Sequence, residues 1–300
     1  MRRVFTARFS DTQIRSIFRA ARFRDRTRCP GCGYARKLWQ LEDERWRCKR
    51  CRKRFGLRTD TWLSHTRFEL AEIYELLFWF ELELTDHGIA RRVDVPYHRV
   101  HRFLLDVRRA IAAFEDRSIA LLDGEVEVDE SYFGPRFENR RRARRRRLRK
   151  SGQVLSGRGA QRLKQAVFGI YERTDGIVYV QPVANVSRQT LQSVIHRKVS
   201  IETTIYSDSW AAYEGLAKDY AGHEILHHRA KEYVRGTASI NGIEGFWAYA
   251  KERLLRHHGV SPDHFLLYLK EMEYRFNHRS LDPTDFADHL VQVLLSHNGP

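Results

Sequence analysis

Hydrophobic residues recur at helical intervals in two stretches of the first 115 residues, then switch to a two-residue alternation beyond Leu122. In the first stretch, Ile14, Ile17, Phe18 and Ala21 follow Ser10-Asp11-Thr12-Gln13, which has capping-box spacing. This predicts a short helix over about residues 10–24. From Phe68 to about Phe114, Leu70, Ile73, Leu76, Leu77 and Phe80 make one apolar stripe, and a break follows at Thr85-Asp86-His87-Gly88. Ile89 to Val93, a turn at Asp94-Val95-Pro96, and a helix carrying Val100, Phe103, Leu104 and Val107 come next. A short helix, a three-residue turn and a basic second helix predict a helix-turn-helix. Its DNA-facing residues would be Tyr97, His98, Arg99, His101 and Arg102, although a helical hairpin with a charged outer face has the same pattern.

The alternation then marks strands. Glu125 to Asp129, Ala166 to Tyr171, Gly176 to Val180, Thr203 to Ser207 and Glu224 to His227 give five, the second and third joined through Thr174-Asp175-Gly176. Leu191, Val194, Ile195 and Val199 return to helical spacing after Ser187, and a short helix is expected from Ala211 to Leu216. Helices over about Ile240–Arg253 and Pro262–Phe276 follow. The expected fold is a mixed α/β (α+β) domain with a mixed five-stranded sheet over about residues 118–300. It would follow an N-terminal helix and cysteine-bearing ribbon at 1–64 and the helical region at 65–117.

Four cysteines, Cys29, Cys32, Cys48 and Cys51, form two C-x-x-C knuckles 15 residues apart. The hairpin between them, with Leu38, Trp39, Leu41 and Trp46, would bring four thiolates into a tetrahedron suited to a structural Zn²⁺. Gly31 and Gly33 would supply the positive backbone angles such knuckles use. The first residues are charged without an apolar run behind them, so no signal peptide is expected; a reducing compartment favours metal over disulfides.

Charge narrows the function further. The 54 Lys and Arg against 38 Asp and Glu give a net charge of +16, which points to a polyanionic partner, most commonly nucleic acid. No apolar stretch approaches a membrane span. A run from Arg140 to Lys150, including Arg141 and Arg145, lies in a basic insertion at about 136–160. It is expected to be disordered alone and to neutralise phosphates without reading sequence.

Three acids could do chemistry. Asp129 and Asp208 each end a predicted strand, and Glu244 begins the helix carrying Ile243, Phe246 and Trp247. Carboxylates converging at a sheet edge repel one another unless hard divalent cations, Mg²⁺ or Mn²⁺, bind there. Two such ions would support in-line phosphoryl displacement. Singly, a strand-end aspartate is a turn former and a helix-start glutamate a dipole partner. Lys251, seven residues past Glu244 and on the same helical face, could hold a phosphate beside them. Phe246 and Trp247 read as packing, and His227, His228, His257 and His258 as surface or phosphate contacts.

These motifs resemble the insertion-sequence DDE transposases with an N-terminal zinc ribbon. The similar segments are Arg28-Cys29-Pro30-Gly31-Cys32-Gly33, Val128-Asp129-Glu130-Ser131-Tyr132-Phe133-Gly134, Tyr206-Ser207-Asp208-Ser209 and Asn241-Gly242-Ile243-Glu244-Gly245-Phe246-Trp247. Tyr268-Leu269-Lys270-Glu271 and Arg275-Phe276-Asn277-His278-Arg279 are similar too. The resemblance implies an RNase H-like, retroviral-integrase-like catalytic domain and a metal-binding triad of Asp129, Asp208 and Glu244, with Lys251 as the accompanying cation. Asn241 competes with Glu244 for the third position, because some members use asparagine. The implied activity is binding of terminal inverted repeats followed by metal-dependent strand cleavage and strand transfer. The implied setting is a prokaryotic cytoplasm in association with the nucleoid, with a homo-oligomer formed on DNA. Alternatives are a catalytically silent DNA-binding regulator and an RNase H-like nuclease or resolvase.

Overall fold

A computed structural model of the chain describes residues 9–23, 26–42, 45–119, 121–134, 142–150, 164–226 and 241–296. Two compact units emerge, one from residues 1–114 with 278–300, the other from 115–277.

In the first unit, α1 (Asp11–Phe23) opens with the capping box expected from sequence. Gln13 N donates to Ser10 Oγ at 3.2 Å, and Gln13 Oε1 accepts from Ser10 N at 2.8 Å. A three-stranded antiparallel ribbon follows: β1 (Leu38–Gln40), β2 (Trp46–Cys48) and β3 (Arg54–Phe55). Phe23, Cys29, Trp46, Cys48 and Phe55 form its small core. α2 (Leu70–Glu81) buries the predicted stripe from Ile73 to Phe80.

α3 (Asp86–Val93) starts three residues earlier than expected, because Thr85 caps it by accepting the Gly88 N–H at 3.2 Å. The predicted break at Thr85–Gly88 is thus a helix start. Asp94, with φ of 54°, ends α3, and α4 (Tyr97–Ser118) begins directly after Pro96. Asp86 ties the pair together: it is buried, accepts two bonds from the buried Arg108 at 2.9 and 3.2 Å, and meets His101 Nδ1 at 2.6 Å. His101 is therefore engaged with α3, while Tyr97, His98, Arg99 and Arg102 are exposed.

The second unit is a five-stranded sheet in the order β6-β5-β4-β7-β8. Its strands are β4 (Glu125–Phe133), β5 (Gln165–Glu172), β6 (Ile177–Val183), β7 (Thr204–Asp208) and β8 (Gly222–Leu226). β4, β5 and β6 run antiparallel, whereas β7 and β8 lie parallel to β4, so the mixed sheet matches the expectation. Alternation divides the two faces. Val126, Val128, Phe168, Ile170 and Ile205 pack on Leu191, Val194 and Ile195 of α6 (Arg188–Lys198). Phe133, Val167, Val178, Val180 and Tyr206 pack on Ile243, Phe246, Trp247 and Ala250 of α7 (Asn241–Leu255) and on Leu269 and Met272 of α8 (Phe265–Asn277). Contact with α7 is so close that a Cβ at Gly169 of β5 would lie 2.6 Å from the Trp247 ring.

Three further expectations need correction. β4 does not end at Asp129 but continues to Phe133, because β5 stays paired along its whole length while β7 pairs only with Glu125–Glu127. The arginine run is helical as α5 (Arg142–Lys150), consistent with the good helix propensity of Arg and Lys. Arg141 and the side chain of Arg145 lie outside the described residues. Two short 3-10 turns, Ala211–Tyr213 and Leu216–Lys218, replace the expected short helix. A last helix, α9 (Pro283–Leu295), belongs to the first unit; Tyr74 donates to its Asp288 at 2.7 Å. No helix among the described residues is long and apolar enough to cross a membrane.

Candidate functional site

The cysteine centre is built locally. Each knuckle closes on itself in the same way: Gly33 N donates to Cys29 O at 2.9 Å, and Arg52 N to Cys48 O at 3.0 Å. Both donors have left-handed backbones, with φ of 70° at Gly33 and 65° at Arg52. Gly31 does not, contrary to expectation; its space is limited by Lys53, 2.9 Å from where a Cβ would sit. The four sulfurs all lie within 4.8 Å of one another, with Cys29–Cys51 at 3.5 Å and Cys32–Cys48 at 3.6 Å. Zn–S bonds of ~2.3 Å in a tetrahedron require sulfurs about 3.8 Å apart, so this cage fits zinc. Burial pushes the Cys29 thiol up to about 12. For Cys48, burial is outweighed by the backbone N–H groups of Cys51 and Arg50, which bring it to about 7.

The acidic centre is built across the sheet. β4 and β7 are in parallel register from Glu125↔Thr204 to Glu127↔Tyr206. Continuing that register by two residues brings Asp129 level with Asp208, both on the face that α7 covers. The β4–β7 ladder itself ends at Glu127↔Tyr206, while β7 stays paired with β8 through Asp208. Asp129 accepts the Trp247 indole N–H at 2.9 Å, so the α7 ring that packs on the sheet also orients the β4 carboxylate. Asp208 Oδ1 accepts the Trp210 backbone N–H at 3.0 Å.

Like charge is evident here. The Asp129 carboxyl is pushed up to about 7 by burial, with Glu130 and Asp208 adding to the rise against the Trp247 bond. Glu130 is raised by burial and by Asp208, and Tyr213 donates to it at 2.5 Å. Glu244 and Lys251 are exposed on α7. Burial and Lys164 lower the Lys251 ammonium, while Asp129 favours its charged form. At about 100° per residue, Glu244 and Lys251 lie within about 60° of Trp247 around the helix. Asn241 lies about 120° away. Among the described residues, no three acids bring carboxylate oxygens within 4.8 Å of one another; the cysteines alone do so.

The start of α7 has a support that the sequence reading passed over. Glu127, buried and two residues before Asp129 on the same face of β4, accepts the Ile243 N–H at 2.9 Å. It also accepts from Arg173 Nε at 3.0 Å. One buried carboxylate thus caps the helix that carries Glu244 and fixes it to the strand that carries Asp129.

Residues 121–277 match the ISXO2-like transposase domain, and residues 9–54 match the transposase zinc-ribbon domain. The chain belongs to the ISXO2-like transposase family. The first match spans more than half of the chain and contains Asp129, Asp208, Glu244 and Lys251. The second contains all four cysteines, and with their geometry it points to a structural zinc in this transposase. A Haemophilus influenzae protein described as an uncharacterized transposase-like protein is 36% identical over 104 residues, 35% of this chain and 84% of that one. The catalytic core domain of BIV integrase aligns with a TM-score of 0.31 and 12% identity, covering 53% of this chain and 86% of that chain. Transposase and zinc-ribbon membership implies DNA as a partner.

Of the residues the sequence singled out in the transposase, Asp129 feels the charge of Asp208 and of Lys251 and accepts the Trp247 indole N–H, while Glu244 is exposed on α7. His227 and His228 lie outside the described residues. His257 packs its ring on Tyr268 at 4.8 Å, and His258 is exposed. Glu127, Glu130 and Tyr213 were missed. Glu127 alternates with Val126 and Val128 just as Glu125 and Asp129 do, which reads as an ordinary polar face, so its burial left no signal in the sequence.

Proposed function

We propose that this transposase cuts DNA at the terminal inverted repeats of its element and joins the freed 3′ ends to target DNA. The carrying observation is the pair Asp129 and Asp208, level on adjacent parallel strands, with the Asp129 carboxyl pushed up to about 7 by burial and like charge. Such crowding favours a divalent cation, and the donors are hard oxygens. Asp129, Asp208 and Glu244 would hold Mg²⁺ or Mn²⁺. When bound, these ions activate the attacking oxygen and stabilise the leaving one. The Trp247 indole orients Asp129, the Trp210 backbone orients Asp208, and Lys251 holds a phosphate oxygen beside them. Glu244 is favoured over Asn241 because it shares the Trp247 flank of α7.

In the first step a water oxygen bonds to phosphorus as the P–O3′ bond breaks. In the second, the new 3′-hydroxyl attacks a target phosphodiester, and another P–O3′ bond breaks. The first step is a hydrolysis and the second exchanges one phosphodiester bond for another, so no energy-supplying cofactor is needed. Arg99 and Arg102 on α4, with Arg141 and Arg145 of the basic insertion, would contact DNA. Pairing two element ends calls for at least two copies of the chain, acting on the DNA of a prokaryotic cytoplasm.

The test is cleavage of a DNA end carrying the element's inverted repeat, with Mg²⁺ or Mn²⁺. The reading predicts nicking and strand transfer, abolished by Asp208→Asn while end binding persists. End binding with no cleavage by the unaltered protein would replace this reading with a DNA-binding regulator. Cleavage of any branched duplex would replace it with a resolvase.

A further inference from the structure

One face of the three-stranded ribbon points away from its core and its cysteines. β2 pairs with both neighbours so that Trp39, Arg47 and Arg54 stand opposite one another across all three strands. Their neighbours Trp46, Cys48 and Phe55 point into the ribbon core, so alternation turns Trp39, Arg47 and Arg54 to the other face. Trp39 is 51% exposed, an unusual position for an indole in so small a domain. Arg54 is exposed and Arg47 half-buried. Among the described residues, neither arginine pairs with an acid. Between Arg26 and Arg58 the chain has 12 Lys and Arg against 3 Asp and Glu, so the face sits in a strongly positive field.

We propose that this face is a binding strip for an unpaired DNA strand, with one base stacked on the Trp39 indole and backbone phosphates on Arg47 and Arg54. Charge complementarity selects a polyanion. The exposed aromatic ring selects one with a free base face, which an intact duplex does not offer along its length. Two strand spacings amount to about 10 Å, so the strip accommodates only a few nucleotides of an unpaired strand. The site differs from α4 and from the basic insertion, and its use would be to grip the strand that frays at an element end. It rests on the reading that the chain handles DNA, but not on the acids.

The test uses the full-length, zinc-loaded chain carrying Asp129→Asn and no added divalent cation, so that binding is read apart from cleavage. Three probes of equal length are compared: a short oligothymidylate, an abasic single strand with the same phosphates, and a blunt duplex. The strip predicts that oligothymidylate binds more tightly than the abasic strand. Trp39→Ala should lose roughly tenfold or more for oligothymidylate and little for the other two, and Trp39→Phe should restore most of the loss. Arg47→Gln with Arg54→Gln should weaken both single strands and reduce the slope of log affinity against log salt by about 1.4. Equal affinity of the unaltered face for oligothymidylate and the abasic strand would overturn the proposal. So would a Trp39→Ala loss that is the same on the duplex. Zinc content, measured for each variant, must match that of the parent protein, and a Trp39→Ala protein that keeps its zinc and its oligothymidylate affinity also overturns it.

Discussion

The molecule carries a cysteine cluster with the geometry of a zinc site and a pair of acids that we propose hold divalent cations, and the two are built on opposite plans. In the ribbon, four sulfurs from two short knuckles lie within 4.8 Å of one another, held by backbone bonds inside each knuckle. In the α/β unit, Asp129 of β4 and Asp208 of β7 feel each other's charge, yet no three of the described acids come that close. Thiols release their protons to a bound zinc, which then neutralises the four sulfurs it holds together. Carboxylates near neutral pH repel, and here each has its own donor: the Trp247 indole for Asp129, the Trp210 N–H for Asp208, and the Ile243 N–H with Arg173 for Glu127. A closed cage suits a structural ion, whereas a spread, partly exposed one leaves room for a substrate phosphate.

The largest effect should come from opening the cage. Cys48→Ser is expected to lose about one zinc per chain and, with it, folding free energy on the order of 10 kcal/mol within the ribbon. Metal analysis and a thermal melt would show the ribbon transition gone and that of the α/β unit retained. Loss of both transitions would mean that the two clusters are not separately supported.

Next is the cost of the spread acids. The Asp129 carboxyl is at about 7 in the fold against 3.8 for the free group, so the folded state binds a proton that the unfolded state has released. Without divalent cations, stability should therefore fall as pH rises from about 4 to 7 and stay low above that. Asp129→Asn keeps the Trp247 bond and should raise stability at pH 8 by about 4 kcal/mol at most, with little change at pH 4. Glu115 and Glu273, pushed by burial to about 7 and about 8, should leave a residual slope of the same sign. Denaturant melts across that pH range would check it, and an Asp129→Asn gain as large at pH 4 as at pH 8 would contradict it.

Glu127→Ala should cost about 3 kcal/mol, because Arg173 and the Ile243 N–H lose a buried partner. Hydrogen exchange should show the first turn of α7 opening more than β4. The smallest effects probe the matching knuckle positions. Gly33→Ala should destabilise the ribbon by about 1 kcal/mol, and Arg52→Gly should stabilise it by a similar amount, since both backbones are left-handed. Competition for zinc with a chelator would rank them.

Local features were readable from sequence alone. The C-x-x-C spacing announced the cage, the Ser10–Gln13 box announced α1, and the alternation after Leu122 announced the sheet. What escaped depends on distant partners or on competing local signals. Thr85-Asp86-His87-Gly88 carries turn residues, yet Thr85 is a cap and Asp86 is held by Arg108 from the following helix. The arginine run suggested disorder, but helix propensity prevails in α5. Asp129 reads as a strand end because polar residues follow it; pairing with β5 carries the strand four residues further. Nothing local to Glu127 reveals that Ile243, far along the chain, donates to it.

The central claim is that Asp129 and Asp208, with Glu244, form a divalent-cation site, and calorimetric titration of Mn²⁺ into the zinc-loaded protein at pH 8 tests it directly. The account predicts saturable Mn²⁺ uptake beyond the zinc, abolished by Asp129→Asn and by Asp208→Asn and weakened by Glu244→Gln, with Asn241→Ala unchanged. Uptake that survives both aspartate substitutions, or a parent protein that takes up no Mn²⁺, would contradict it.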